Sequence, residues 1–215
     1  MKRIVWAIDG KMHPKEFIDN GIRYENKIHS IKINSLYHFL LTKHNNVLDS
    51  YYEQTTTPLF ADFKLYDTPK TVAETISNLH RAFKFCTVVH NDNLESLVHG
   101  TEVALTKDVL IFAVWKLTSS LPSILTYELK EEFTNWCYEV SGAVGADNVG
   151  VVVPYYLLPY VKRFGFKALL TPGVYVDKPN NGQCATVSIR DVVKYEPDLL
   201  VLGRSFGEYD KTRRL

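Results

Sequence analysis

Cysteine is scarce. Cys86, Cys137 and Cys184 are the only three in 215 residues, and no two form a CxxC pair. This argues against a disulfide scaffold and against a cysteine-based zinc module, and makes reduced thiols in a cytoplasmic setting the expectation. No His/Cys/carboxylate spacing favours another metal site either. Long apolar runs are also missing: nothing approaches the ~20 residues a membrane helix needs. The opening MKRIVWAIDG has an apolar run too short for a signal peptide and reads as a first strand. Neither sign of charge dominates. Lys+Arg number 25 against 24 Asp+Glu, a formal net charge of +1, so no polyanion-binding surface and no nucleic-acid partner are expected. The basic tail Lys211-Thr212-Arg213-Arg214 is short and reads as a solvated end. No low-complexity linker divides the chain, so positions 1–215 read as one catalytic domain. No GxGxxG turn follows the first strand, as an open dinucleotide-binding sheet would require.

What the chain does have is a recurrence. Short β-rich runs cover 3–9, 29–33, 57–64, 85–90, 109–117, 148–153, 167–171 and 199–203. Amphipathic stretches such as 71–83 and 94–105 lie between them, and 125–145 has room for a longer helix. Pro14 and Pro69 stand where a first helical residue belongs. Strand–helix alternation implies parallel pairing with crossover helices. Eight such units in a chain of this length predict a (β/α)8 barrel, which typically needs roughly 200 to 250 residues.

In such a barrel the active site lies at the C-terminal ends of the strands. The polar residues there are Asp9, Lys32, Asp62 with Lys64, His90, Thr118-Ser119, Thr171-Pro172-Gly173 and Gly203-Arg204-Ser205. The third run is the sharpest case. Side chains alternate along a strand, so Leu59, Ala61, Phe63 and Leu65 should face covering helices, and Phe60, Asp62 and Lys64 the barrel mouth. Lys32 adds a second cation and Asp67, in the loop beyond, a second anion. Lysine and aspartate are poor strand formers and are rarely buried unless paired, so an alternating Lys-Asp-Lys-Asp array is expected. A buried ion-pair network without chemistry is the competing interpretation. His90 is expected to be a hydrogen-bonded structural histidine, and Trp6 and Trp115 to serve packing.

Asp62-Phe63-Lys64-Leu65-Tyr66-Asp67-Thr68-Pro69-Lys70-Thr71-Val72 resembles the Asp-x-Lys-x-x-Asp-Ile-x-x-Thr-Val motif of the orotidine 5'-monophosphate decarboxylases, with Thr68 in place of isoleucine. Ala7-Ile8-Asp9, Ile31-Lys32-Ile33, Leu117-Thr118-Ser119, Leu170-Thr171-Pro172-Gly173-Val174 and Val201-Leu202-Gly203-Arg204 are similar to that family's other strand ends, in order along the chain.

The resemblance implies decarboxylation of orotidine 5'-monophosphate to UMP in de novo pyrimidine biosynthesis, with no cofactor. It implies that Lys64 protonates C6 of the pyrimidine, beside Asp62. Asp67 would complete the charge array from the partner subunit of a homodimer, with Thr68 and Thr71 facing the neighbour's site. Asp9 and Lys32 would hold ribose hydroxyls, Ser119 would contact the pyrimidine edge, Thr68 would form one wall of the pyrimidine pocket, and Pro172 would belong to the substrate-binding set. Gln183, Gly203 and Arg204 would bind phosphate. The loop 176–186, with Asn180-Asn181-Gly182-Gln183, has the composition of a phosphate cover, although the residues flanking Gln183 depart from the family's usual ones. Two other readings stay open: a magnesium-dependent sugar-phosphate decarboxylase such as 3-keto-L-gulonate 6-phosphate decarboxylase, and a non-catalytic barrel that binds nucleotide phosphates.

Overall fold

The computed structural model describes residues 3–43, 46–90, 93–117, 121–122, 125–176 and 185–212. The strands are β1 (Ile4–Ile8), β2 (Ser30–Ile33), β3 (Leu59–Leu65), β4 (Phe83–Val89), β5 (Leu110–Val114), β6 (Val149–Val152), β7 (Ala168–Tyr175), β8 (Val187–Ser188) and β9 (Leu199–Leu202). All pairings are parallel. β1 to β7 pair in sequence, β9 bridges β7 and β1, and the two-residue β8 lies outside the ring on β7. The ring of eight is therefore closed: a (β/α)8 barrel.

The helices are α1 (Pro14–Tyr24), α2 (Ser35–Lys43), α3 (Val47–Gln54), α4 (Pro69–Ser77), α5 (Leu94–Thr106), α6 (Tyr127–Val144), α7 (Leu158–Val161), α8 (Ile189–Val192) and α9 (Phe206–Thr212). Local chemistry accounts for several of their ends. Pro14 and Pro69 each occupy the first helical turn, where the missing N–H costs nothing. The Thr68 hydroxyl accepts from the Thr71 amide (3.4 Å) and Thr126 accepts from Leu129 (3.2 Å), so each satisfies an orphan donor. Gly145 ends α6 with φ +76°, a conformation that a side chain disfavours. No helix among the described residues is long and apolar enough to cross a membrane.

The boundaries differ from expectation in instructive ways. The amphipathic stretch 71–83 is not one helix, since α4 stops at Ser77. Leu79, Ala82 and Phe83 are buried in the run-in to β4 and mimic a continuing helical stripe. β5 ends at Val114, short of Leu117. β7 runs on to Tyr175, past Thr171 where the seventh run was expected to end, because Gly173 at φ +74° makes a bulge after which pairing resumes at Val174.

Two apolar layers follow from strand alternation. Outside the ring, Leu59, Ala61, Phe63 and Leu65 pack with the helices. Inside it, Phe60 joins Val5, Ala7, Phe112, Leu170 and Val201, with the Phe60 and Phe112 rings stacked at 5.2 Å. Phe112 fits because residue 150 on β6 is glycine: a Cβ there would lie 2.5 Å from its ring. The barrel is thus plugged from within by this inner layer. Trp6 stacks on Phe206 and Trp115 packs on Phe133, as expected of core aromatics.

Candidate active site

Above that plug lies a cavity of about 220 Å³ at the C-terminal end of the strands. Lys32, Asp62, Lys64 and Pro172 line it, as does Thr87. Lys116, Leu117 and several strand-end aliphatic side chains complete the wall. Asp62 is the centre. It is 6% exposed, and its Oδ2 accepts from both Lys32 Nζ and Lys64 Nζ, the latter at 2.9 Å.

The backbone that aims Lys64 is unusual. Lys64 has φ +48°, in the left-handed region that costs non-glycine residues energy, and the β3–β4 register slips between Ala61 and Leu65. Such bulges re-aim a side chain next to a site. Thr87 on β4 holds this one. Its Oγ1 accepts the Lys64 amide (2.8 Å) and donates to Asp62 Oδ1 (3.2 Å). One buried hydroxyl therefore fixes both members of the Asp62–Lys64 pair.

Burial alone would raise the Asp62 pKa. The charges and hydrogen bonds of Lys32 and Lys64 outweigh it and hold the carboxyl below its ordinary range. A carboxyl with a depressed folded-state pKa contributes stability above its unfolded value, and that contribution is lost as pH falls through the folded one. The stability gap between wild type and Asp62→Asn should therefore be widest at neutral pH and close as pH falls below about 4. Unfolding midpoints across that range check it. A gap that stayed constant would mean that the charge on Asp62 carries none of it.

Other sequence candidates fall elsewhere. Asp9 is exposed just beyond β1, and neither Gly203 nor the exposed Arg204 beyond β9 lines the cavity, although Val201 on β9 does. Asp67 and Thr68 are exposed on the β3–α4 loop and also do not line it. Asp67 Oδ1 accepts the Thr68 amide (2.6 Å), and its carbonyl accepts from Ser96 Oγ (2.6 Å) and Asn93 Nδ2 (3.2 Å). Within one chain the expected four-charge array is therefore a three-charge array, Lys32–Asp62–Lys64. Thr68 caps α4. Thr71 lines a separate groove outside β3, with Tyr37, Phe63 and Leu65. Ser119, Gln183 and Cys184 lie outside the described residues.

His90 is structural, but not as expected. Its ring is 2% exposed, 6.4 Å from the Trp136 ring in a stacked arrangement, with Nε2 3.4 Å from a Glu139 carboxylate oxygen. Neither ring nitrogen makes a hydrogen bond among the described residues. The ring lies against α6. Cys86 and Cys137 are buried free thiols, and burial pushes each up to about 12, which suits packing rather than reactivity.

Two cavity residues escaped the sequence reading. In sequence Thr87 is an ordinary strand threonine, and Lys116 stands just before the Leu117-Thr118-Ser119 motif without belonging to it. Only the inward half of the strand alternation marked either.

A protein-family model, described as Orotidine 5'-phosphate decarboxylase / HUMPS family, matches residues 11–211. The chain belongs to that family. Among solved structures it resembles an orotidine 5'-monophosphate decarboxylase from Methanocaldococcus jannaschii complexed with the inhibitor BMP. The TM-score is 0.68 at 15% identity, covering 95% of this chain and 90% of that one. It also resembles an uncharacterized conserved protein from Geobacillus kaustophilus, with a TM-score of 0.67 at 18% identity and 98% of each chain covered. A search of curated proteins returned no match. At these identities the structural likeness speaks for the barrel, and the family match for the superfamily.

Proposed function

We propose that the protein decarboxylates orotidine 5'-monophosphate to UMP without a cofactor. The observation that carries this reading is the buried Asp62 carboxylate holding two lysine ammonium groups at the open end of a plugged barrel, with Lys64 aimed by a strained backbone. Loss of carbon dioxide from C6 leaves an electron pair on a vinylic carbon. A fixed ammonium at that position stabilises the developing charge and then supplies the proton. Asp62 keeps Lys64 charged and in place, and its own negative charge lies where the departing carboxylate is bound. Lys32 occupies the same Asp62 oxygen as Lys64, which favours lysine chemistry there over a carboxylate free to ligate a divalent ion.

The remaining assignments follow the family motif. Asp9 and Lys32 contact the ribose, Ser119 and Pro172 the pyrimidine, and Gln183, Gly203 and Arg204 the phosphate. Glycine permits close backbone approach, and a guanidinium offers a bidentate fork. Asp67, Thr68 and Thr71 serve the site of a second copy in a homodimer; their exposure away from this chain's cavity is the observation in favour.

The test is carbon dioxide release from orotidine 5'-monophosphate by purified protein, with and without a chelator. Turnover unchanged by the chelator is expected. Tight binding of UMP with no carbon dioxide release would leave a nucleotide-binding barrel instead, and turnover lost to the chelator would favour the magnesium-dependent relatives. Thr87→Val, which keeps the shape but removes both hydrogen bonds, should lower kcat by about 100-fold, the cost of a small misplacement of reacting groups. Thr87→Ser should restore most of it. Equal losses in both variants would assign Thr87 to packing alone.

A further inference from the structure

The cavity holds three ammonium groups, and the mechanism above uses two. The third belongs to Lys116, just past β5, on the same wall as Lys32, Asp62 and Lys64. It takes no share of Asp62. Its Nζ bonds instead to Glu132 Oε2 on α6, at 2.6 Å, and Glu132 is not part of the cavity lining. The Lys116 side chain is 34% exposed and that of Glu132 is 59% exposed. The pair therefore reaches from the cavity out to solvent.

Its geometry is that of an exchangeable partner. An ion pair with this exposure contributes little net energy, so giving it up costs little. The ammonium is nevertheless held in place, with Nζ 4.5 Å from the centre of the Trp115 ring, and Trp115 is buried against Phe133. Lysine over an aromatic face keeps a favourable contact whichever oxygen it binds. β5 stands two places round the barrel from β3, so Lys116 meets a ligand from a different side than Lys64 does. The loop that follows β5 is the one assigned above to the pyrimidine edge.

We propose that Lys116 binds a carbonyl oxygen of the ligand's heterocycle, releasing Glu132 as it does so, and that Glu132 thereby sets nucleotide affinity by competition. This rests on the nucleotide reading of the site. A ring carbonyl carries partial negative charge and gains more as C6 becomes carbanionic, so the contact strengthens along the reaction.

Competition makes a prediction that a structural ion pair does not: the two partners act in opposite directions. Dissociation constants for UMP are measured by calorimetry on wild type, Lys116→Gln, Glu132→Gln and the double variant, with ribose 5-phosphate as a probe lacking the base. Lys116→Gln should weaken UMP binding by about 10-fold, the loss of one charge-assisted hydrogen bond. Glu132→Gln should tighten it by about 2- to 5-fold, the release of one exposed pair. That gain should vanish when Lys116→Gln is also present. Ribose 5-phosphate should bind all four proteins alike. Weakening in both single variants, or no change in either, would overturn the proposal. So would a shift for ribose 5-phosphate as large as that for UMP. Carbon dioxide release by wild type, run in parallel, separates the two ideas. No release with the opposed affinities intact removes the decarboxylase reading and keeps Lys116 as a ligand residue. Release with unmoved affinities does the reverse. A wild type that binds no UMP overturns both.

Discussion

Lys64→Ala is expected to lower decarboxylation of orotidine 5'-monophosphate by at least about 10,000-fold, since it removes a proton donor and the main electrostatic stabiliser together. The fold should survive. Lys64 lies at the open rim of the cavity, with its side chain 37% exposed, and its removal leaves Asp62 still paired with Lys32. Alanine also keeps the Cβ, so the strain at φ +48° is unchanged. Lys64→Arg should fail almost as badly, because a guanidinium keeps its proton and cannot deliver it to carbon. Carbon dioxide release measures the first effect, and the thermal unfolding midpoint shows whether the barrel is intact. Activity within tenfold of wild type in the alanine variant would remove Lys64 from the mechanism.

The second large effect tests whether sites are shared between copies. Asp67→Ala alone should be nearly inactive, and so should Lys64→Ala. Mixed in equal amounts under conditions where subunits exchange, they should recover roughly a quarter of wild-type activity. Half of the dimers would then be mixed, each with one intact and one doubly damaged site. The reason lies in how Asp67 is held. It sits two residues past the end of β3, exposed, with its carbonyl tied to Asn93 and Ser96 at the start of α5. Those bonds fix the loop so that the carboxylate projects from the barrel rather than into its cavity. If mixing restores nothing while exchange is demonstrated by mass spectrometry, Asp67 acts within its own chain or not at all.

Much of this was legible beforehand. The eight β-rich runs correspond to the eight strands of the ring, because a strand buried on both faces writes a short apolar run whatever it pairs with. The inward Phe60 and Asp62 and the outward Leu59, Ala61 and Phe63 followed from the period of two, and the two apolar layers divide that way; Lys64 also reaches the cavity, but through the bulge at its φ of +48°. Failures cluster where a local pattern has two meanings. Leu79, Ala82 and Phe83 fit a helical stripe and a strand approach equally well, and Pro172-Gly173 ends the seventh apolar run in sequence while the strand itself continues through a bulge to Tyr175.

The sequence by itself determined the barrel and placed Lys32, Asp62 and Lys64 at its mouth, because strand period and charge are local properties carried by the residues themselves. The tertiary structure alone decided how those charges are held. The strained turn at Lys64 is fixed by Thr87, 23 residues further along the chain. Asp67 faces outward because two residues at the start of α5 hold its carbonyl. Lys116 stands between the cavity and Glu132, 16 residues away. Each is a bond between segments that meet only once the ring has closed, and no local periodicity records such a meeting.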